Sequence, residues 1–174
     1  MYSKNTIPEV IDFDTIATPL GSMLVCATVK GICLLDFLEK ETIDVRLKEV
    51  NKESKSDMVR GQNPFINILK EQLLEYFDGK RKDFSVPLDL SGTDFQMKVW
   101  DSLLKIPYGK VWSYKQQATF LGSSKSVRAV AKANGMNKIS ILIPCHRVIG
   151  SNGSLTGYAG GLWRKKFLLD LEQK

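Results

Sequence analysis

Hydrophobic and polar positions change their period along this chain, and the change divides it in two. Between residues 10 and 38 apolar and β-branched residues come in three short runs, 10–17, 22–29 and 32–38. Turn signals at Thr18-Pro19-Leu20-Gly21 and Lys30-Gly31 separate them. Consecutive strands joined by short turns predict an antiparallel meander. Residues 40–50 predict a charged surface helix, and the polar, aperiodic stretch 51–61 predicts a loop. Pro64 suits the first turn of a helix. Phe65, Ile68, Leu69, Leu73 and Phe77 then recur at helical spacing, an apolar face that can cover the sheet. Asp78-Gly79-Lys80 ends that helix, and residues 83–86 are expected to return as a strand.

Residues 87–92 read as a linker, beyond which the pattern becomes that of short helices. Thr93-Asp94-Phe95-Gln96 is a capping box, and Phe95, Val99, Leu103 and Leu104 supply the apolar side of the helix it opens. Ile106-Pro107-Tyr108-Gly109 stops it. A second capping box, Ser113-Tyr114-Lys115-Gln116, opens a helix to about Leu121; after Gly122-Ser123-Ser124 a further helix covers 126–134 and is closed by Gly135. Helix, short glycine turn, helix outlines a helix-turn-helix, and equally an ordinary αα-hairpin. Its second helix is small and basic, with Arg128, Ala129, Ala131, Lys132 and Ala133. Asn152-Gly153 is a strong hairpin signal. Residues 156–161 form a glycine-rich loop, and 162–173 a basic amphipathic helix with Leu168, Leu169 and Leu171 inward. The expected class is α+β: a small sheet-plus-helix domain over 1–90 and a mostly helical domain over 91–174.

Chemistry concentrates at residues 139–148, Ile-Ser-Ile-Leu-Ile-Pro-Cys-His-Arg-Val. The apolar run predicts a buried strand that stops at Pro144 and delivers Cys145 beside His146, the chain's sole histidine. A thiol becomes a strong nucleophile once it loses its proton, and a neighbouring base or positive charge promotes that loss. A carboxylate that orients the far ring nitrogen would complete a triad. Glu172 is a candidate, or simply a solvated residue. A buried core cysteine beside a satisfied histidine is the other reading of the pair.

Composition narrows the function classes. The 174 residues are 43% hydrophobic, enough for a real core. No apolar run is long enough for a membrane helix, and no signal stretch follows Met1-Tyr2-Ser3-Lys4-Asn5, so a soluble cytoplasmic protein is expected. Three cysteines, none in a Cys-x-x-Cys pair, and one histidine argue against both a disulfide framework and a metal site. The net charge of +6 is unevenly spread: residues 91–174 carry 13 Lys and Arg against 4 Asp and Glu. The half that holds Cys145 is thus strongly basic. It suits a polyanion such as nucleic acid, or is a solvated basic surface.

Phe95-Gln96, Val99-Trp100, Ile106-Pro107-Tyr108-Gly109, Ser113-Tyr114, Arg128-Ala129-Val130, Asn134, Asn137, Pro144-Cys145-His146-Arg147-Val148 and Gly157-Tyr158-Ala159-Gly160-Gly161 stand in this order. Taken together they resemble the O6-alkylguanine-DNA alkyltransferase (methylated-DNA–protein-cysteine methyltransferase) family. That resemblance implies a ribonuclease-H-like N-terminal domain and a winged-helix-like helix-turn-helix domain. It implies irreversible transfer of an alkyl group from O6 of guanine, or O4 of thymine, in duplex DNA to Cys145. His146 would act as base through water and Glu172 would hold it. Tyr114 would donate to the leaving base, and Asn137 would tie the helix-turn-helix to the active turn. Val148, Tyr158, Ala159 and Gly160 would line the base pocket. Arg128 would occupy the space of a flipped base, with Tyr114, Ala129, Lys132, Ser113 and Gly135 at the DNA. No metal, cofactor or obligate protein partner is implied, and a monomer is expected.

Two departures stand out. Lys138 replaces a proline frequent in the family, which is expected to loosen the turn after Asn137. Ala159 stands where some members carry serine, leaving only backbone N–H groups there to meet O6. A lesion-binding protein without activity would lack the active cysteine, and Cys145 is intact. A cysteine hydrolase would need an oxyanion hole and would turn over.

Overall fold

The structure is a computed structural model that describes residues 10–38, 45, 47–48, 50–52 and 57–174. Three strands follow as the alternation predicts: β1 (Ile11–Thr18), β2 (Gly21–Ala27) and β3 (Ile32–Phe37), antiparallel throughout. A fourth strand, β4 (Met58–Arg60), pairs in parallel with β1, giving the order β3-β2-β1-β4. The sheet is therefore mixed. β4 comes out of the polar stretch expected to be a loop, because an edge strand beside β1 needs backbone partners and few apolar side chains. Residues 45, 47–48 and 50–52 are helical; the rest of the helix expected over 40–50, and the N-terminal Met1-Tyr2-Ser3-Lys4-Asn5, lie outside the described residues.

Helix α1 (Pro64–Phe77) starts where Pro64 predicts, with Asn63 Oδ1 accepting from the Phe65 amide at 2.9 Å. Its buried face is Ile66, Leu69, Gln72, Leu73 and Tyr76, while Ile68 is 40% exposed. The expected face was rotated: Tyr76 points inward because its hydroxyl finds a buried acceptor, described below. Residues 83–86 form no strand. The chain instead makes a bridge two residues later, from Leu88 to Ile32, and Asp89 accepts from Thr28 Oγ1 at 2.6 Å. The segment read as a linker is thereby stitched to β3.

In the C-terminal half, α2 (Asp94–Leu103), α3 (Tyr114–Phe120) and α4 (Val127–Gly135) form a cluster, and both capping boxes are closed reciprocally. Trp100 is the fully buried anchor of α2, whereas Phe95 and Leu104 are exposed at 41% and 47%. Its indole donates to the Ala133 carbonyl at 2.9 Å. Gln117 and Asn134 exchange side-chain amide bonds at 3.2 and 2.7 Å, and Gln117 also donates to Ser102. Buried polar groups paired this way fix the angle of α3 against α4. Gly135 is the last residue of α4, not a left-handed cap beyond it.

The apolar run 139–143 is buried but is no strand. Ile139 makes a single bridge to Leu35 of β3, after which the chain coils. Ile141 takes φ 73°, a region that a β-branched residue adopts only under constraint. Cys145–Arg147 is a 3₁₀ turn, and β6 (Val148–Ile149) pairs in parallel with β5 (Trp112–Ser113). The Asn152-Gly153 turn forms, with Gly150 N–H donating to the Ser154 carbonyl, but no returning strand follows. Helix α5 (Leu162–Glu172) closes the described chain.

One apolar core runs through both halves, from Met23, Val25 and Phe37 through Leu69 and Leu73 to Trp100, Ile143 and Leu168. Among the described residues no helix is long and apolar enough to cross a membrane.

Candidate active site and nucleic-acid interface

The inward face of α5 is charged: Arg164, Lys165 and Glu172 are buried beside Leu168, while Leu169 and Leu171 are only half-buried. Buried charge is costly unless paired, so each of these side chains has a defined task. Glu172 Oε1 accepts from His146 Nε2 at 2.8 Å, Arg147 Nη2 at 3.0 Å and the Tyr76 hydroxyl at 2.7 Å. Its Oε2 accepts from Arg147 Nε at 2.8 Å and the Gly109 amide at 3.2 Å. Gly109 sits at φ 72°, and a Cβ there would lie 2.7 Å from the Glu172 carbonyl, so only glycine brings this amide to the carboxylate. Burial pushes Glu172 up, but hydrogen bonds from His146 and Arg147 outweigh it and hold the carboxyl down at about 2. The group is an anion at neutral pH.

His146 is fully buried, and burial lowers its pKa against the opposing pull of Glu172. The ring is therefore neutral near pH 7. Because the carboxylate can only accept, the proton sits on Nε2, leaving Nδ1 as a basic lone pair. Nδ1 has no hydrogen-bond partner among the described residues. It is the one ring position able to take a proton.

Cys145 is half-buried on the 3₁₀ turn. Asn137 Nδ2 donates to its Sγ at 3.2 Å and to the Ile143 carbonyl at 2.8 Å, while Asn137 Oδ1 accepts from the Ile139 amide at 3.0 Å. One buried amide thus fastens the end of the helix cluster to the turn that carries the thiol. Burial raises the thiol pKa, and both the Asn137 bond and the Lys165 charge oppose the rise. Lys165 is itself fully enclosed, donating from Nζ to the carbonyls of Val148 and Thr156 at 2.5 and 2.7 Å. Burial brings it down to about 8. The turn after Asn137 is not loosened by Lys138, which is buried: its carbonyl accepts from the Leu35 amide and its Nζ donates to the Ser91 carbonyl.

The remaining predicted positions lie on β5, α3, α4, β6 and the loop 156–161. Tyr114 is buried at the start of α3, with its hydroxyl donating to the carbonyls of Thr156 and Gly157 at 3.1 and 3.4 Å. Gly157, at φ 64°, leaves that hydroxyl room that a Cβ at 2.8 Å would take away. Val148 is buried with its carbonyl already bonded to Lys165. Tyr158 is buried near Ser140, and Ala159 is exposed. Gly160 is buried under the loop, its carbonyl accepting from Arg164 at 2.8 Å. On α4, Arg128, Ala129, Lys132 and Gly135 share one exposed face, opposite buried Val130, Ala133 and Asn134. The Ser113 hydroxyl caps α3, accepting from Gln116.

Three contributors escape a reading of the sequence. Arg147 looked like a neighbour of the pair and is instead the main counter-ion of Glu172. Lys165 belongs to a basic helix whose lysines would ordinarily face water. Tyr76 comes from the half of the chain in which no chemistry was expected. Only Arg147 carried a usable signal, a charge directly following the candidate base.

Comparison with known proteins adds the context. Residues 94–174 match the family described as 6-O-methylguanine DNA methyltransferase, DNA binding domain, and residues 11–90 match its ribonuclease-like domain. The constitutive methylated-DNA–protein-cysteine methyltransferase of Bacillus subtilis is 43% identical over 162 residues, spanning 92% of this chain and 94% of that protein. The crystal structure of Mycobacterium tuberculosis O6-methylguanine methyltransferase superposes with TM-score 0.80 at 40% identity, over 94% of this chain and 93% of the other. A second crystal structure, of Mycobacterium tuberculosis OGT in complex with DNA, superposes with TM-score 0.79 at 39% identity, over 94% and 92%.

Proposed function

The chain belongs to the 6-O-methylguanine DNA methyltransferase family, and we propose that it repairs duplex DNA by moving one methyl or other alkyl group from O6 of guanine to Cys145. The observation that carries this reading is the Asn137-held thiol standing beside a buried His146–Glu172–Arg147 network. In the resting protein the thiol keeps its proton. His146 Nδ1 takes that proton through a water, and the imidazolium so formed is stabilised by ionised Glu172. Lys165 and the Asn137 amide steady the thiolate. Sulfur attacks the saturated alkyl carbon, the S–C bond forms as the C–O6 bond breaks, and the electron pair leaves on guanine. Tyr114 turns its hydroxyl hydrogen from the Thr156 carbonyl to the departing base and gives up the proton, so that guanine leaves neutral. The proton held on the His146 imidazolium then returns through water to the Tyr114 oxygen. Backbone N–H groups near Ala159 meet O6, with Val148, Tyr158 and Gly160 shaping the pocket.

A thioether is not hydrolysed by water under these conditions, so each molecule acts once. The target atom lies inside the duplex, which requires the base to leave the stack at a cost of a few kcal/mol. Arg128 enters the space it vacates, while Ala129 and Gly135 let α4 approach a groove closely and Lys132 contacts phosphate. Residues 1–90 and 91–174 are read as two domains of a monomer that acts in the cytoplasm, without cofactor or obligate protein partner.

Intact-protein mass spectrometry after incubation with excess O6-methylguanine duplex tests the reading. One added methyl, mapped to Cys145 and saturating at one equivalent, is expected. Tight damage-selective binding without any mass change would sink it in favour of a lesion sensor.

A further inference from the structure

We propose that Tyr76 is a positioning residue of this site: from the N-terminal half, its hydroxyl shares Glu172 Oε1 with His146 and so sets how tightly the carboxylate holds the imidazole. The inference rests on the alkyl-transfer reading above. Tyr76 is fully buried and lies 96 positions before its acceptor in sequence. Its ring is fixed by Phe84 at 5.3 Å and by an edge contact with Tyr108 at 6.2 Å. Packing alone would be met by phenylalanine, which brings no polar group to bury. The hydroxyl is tolerated because the carboxylate satisfies it, and it places α1 in direct contact with the base-orienting anion.

Each donor to a carboxylate stabilises its anionic form and weakens it as an acceptor for the others. Among the described residues, five donated bonds reach Glu172: one each from Tyr76, His146 and the Gly109 amide, and two from Arg147. Tyr108 packs alongside, and Lys165 approaches His146 from α5. Of these donors only Tyr76 belongs to the N-terminal half. Removing its hydroxyl leaves Glu172 a stronger base toward Nε2–H, which favours the imidazolium.

The sole histidine of the chain makes the test direct. The imidazole of His146 is titrated by NMR in the free protein, before and after Tyr76→Phe, and the pH dependence of alkyl transfer is measured beside it. The expected result is an upward shift of His146 on the order of half a pH unit. The acid limb of the rate should move by the same amount, so that repair below it slows about threefold, with DNA affinity unchanged. A folded Tyr76→Phe protein with an unmoved titration and rate limb would overturn the proposal. If that variant does not fold, 3-fluorotyrosine incorporation strengthens the phenol as a donor and should move His146 downward; no movement would overturn it equally. The titration needs no DNA, so failure of the unaltered chain to take up methyl would count against the repair reading alone.

Discussion

The buried cluster beneath Cys145 and the outer face of α4 use the same kinds of charged side chain in opposite ways. Beneath the thiol, Arg147, Lys165 and Glu172 are removed from water, and each is saturated by named partners. On α4, Arg128 and Lys132 stand in solvent on a helix whose first turn has no side-chain cap. The cluster has one arrangement and would be badly disturbed by losing any member. The helix face is held by no such network among the described residues: Arg128 and Lys132 are exposed side chains on a helix start without a side-chain cap. Chemistry needs pre-organised groups that need not rearrange during the reaction, whereas binding a lesion in any sequence context needs charge and access more than fixed geometry. Substitutions on the two sides should therefore differ in kind as well as size.

The sharpest break is Cys145→Ala. Transfer should vanish entirely while affinity for damaged duplex stays within a few-fold of the original, measured by fluorescence anisotropy beside the mass-spectrometric assay. Loss of binding with the thiol would merge the two regions into one.

Next in size is Glu172→Gln, which leaves Arg147 buried without its counter-ion. Stability should fall by about 3–5 kcal/mol, and repair by the folded fraction by on the order of a hundredfold or more, read by denaturant melts and single-turnover rates. The pH dependence follows from the depressed carboxyl. With Glu172 at about 2 in the folded protein against an ordinary 4.5, its contribution is complete above about pH 4.5. It is lost progressively as pH falls toward 2. The Gln variant should lack that part of the acid transition; an identical acid profile would mean that the ion pair contributes nothing.

The same division governs how much could be read in the sequence. Local signals were legible: both capping boxes, Pro64 at the start of α1, the three strands and the exposed stripe of Arg128, Ala129 and Lys132 all depend on neighbours within one or two turns. Of the site residues, Cys145 and His146 stand out in the sequence itself and Asn137 and Tyr114 only through the family resemblance; the structure bonds Asn137 to Cys145 and Glu172 to His146. What was not legible depends on distance in the chain. Residues 139–143 have strand composition, but Ile139 meets only Leu35 of β3, 104 positions earlier, before Ile141 turns into the left-handed region. Lys165 and Arg164 face inward because the carbonyls of Val148 on β6, of Thr156 and of Leu20 converge on them, and no periodicity carries that information. Tyr76 is hidden for the same reason.

On the binding side, Arg128→Ala should slow repair of O6-methylguanine in duplex DNA by roughly thirtyfold, about 2 kcal/mol of the cost of unstacking. Reaction with free O6-benzylguanine, which needs no flipping, should be unchanged. Equal losses on both substrates would place Arg128 in the chemistry and not at the helix, and would blur the contrast between the two regions.

The smallest effect distinguishes them most cleanly. Lys132→Ala removes one exposed cation from α4, one turn from Arg128, without touching the buried amide pair of Gln117 and Asn134. If Lys132 neutralises a phosphate, the slope of log affinity against log salt should shallow by about 0.9, the signature of one fewer counterion released. Affinity should fall only a few-fold at moderate salt, equally on damaged and undamaged duplex, and the transfer rate at saturating DNA should not change. A salt slope that stays the same would mean that α4 meets DNA through another edge, leaving the basic face a solvated surface. A fall in the saturated rate would instead mean that the helix is coupled to the thiol through Asn137, making the interface part of the machinery it delivers DNA to.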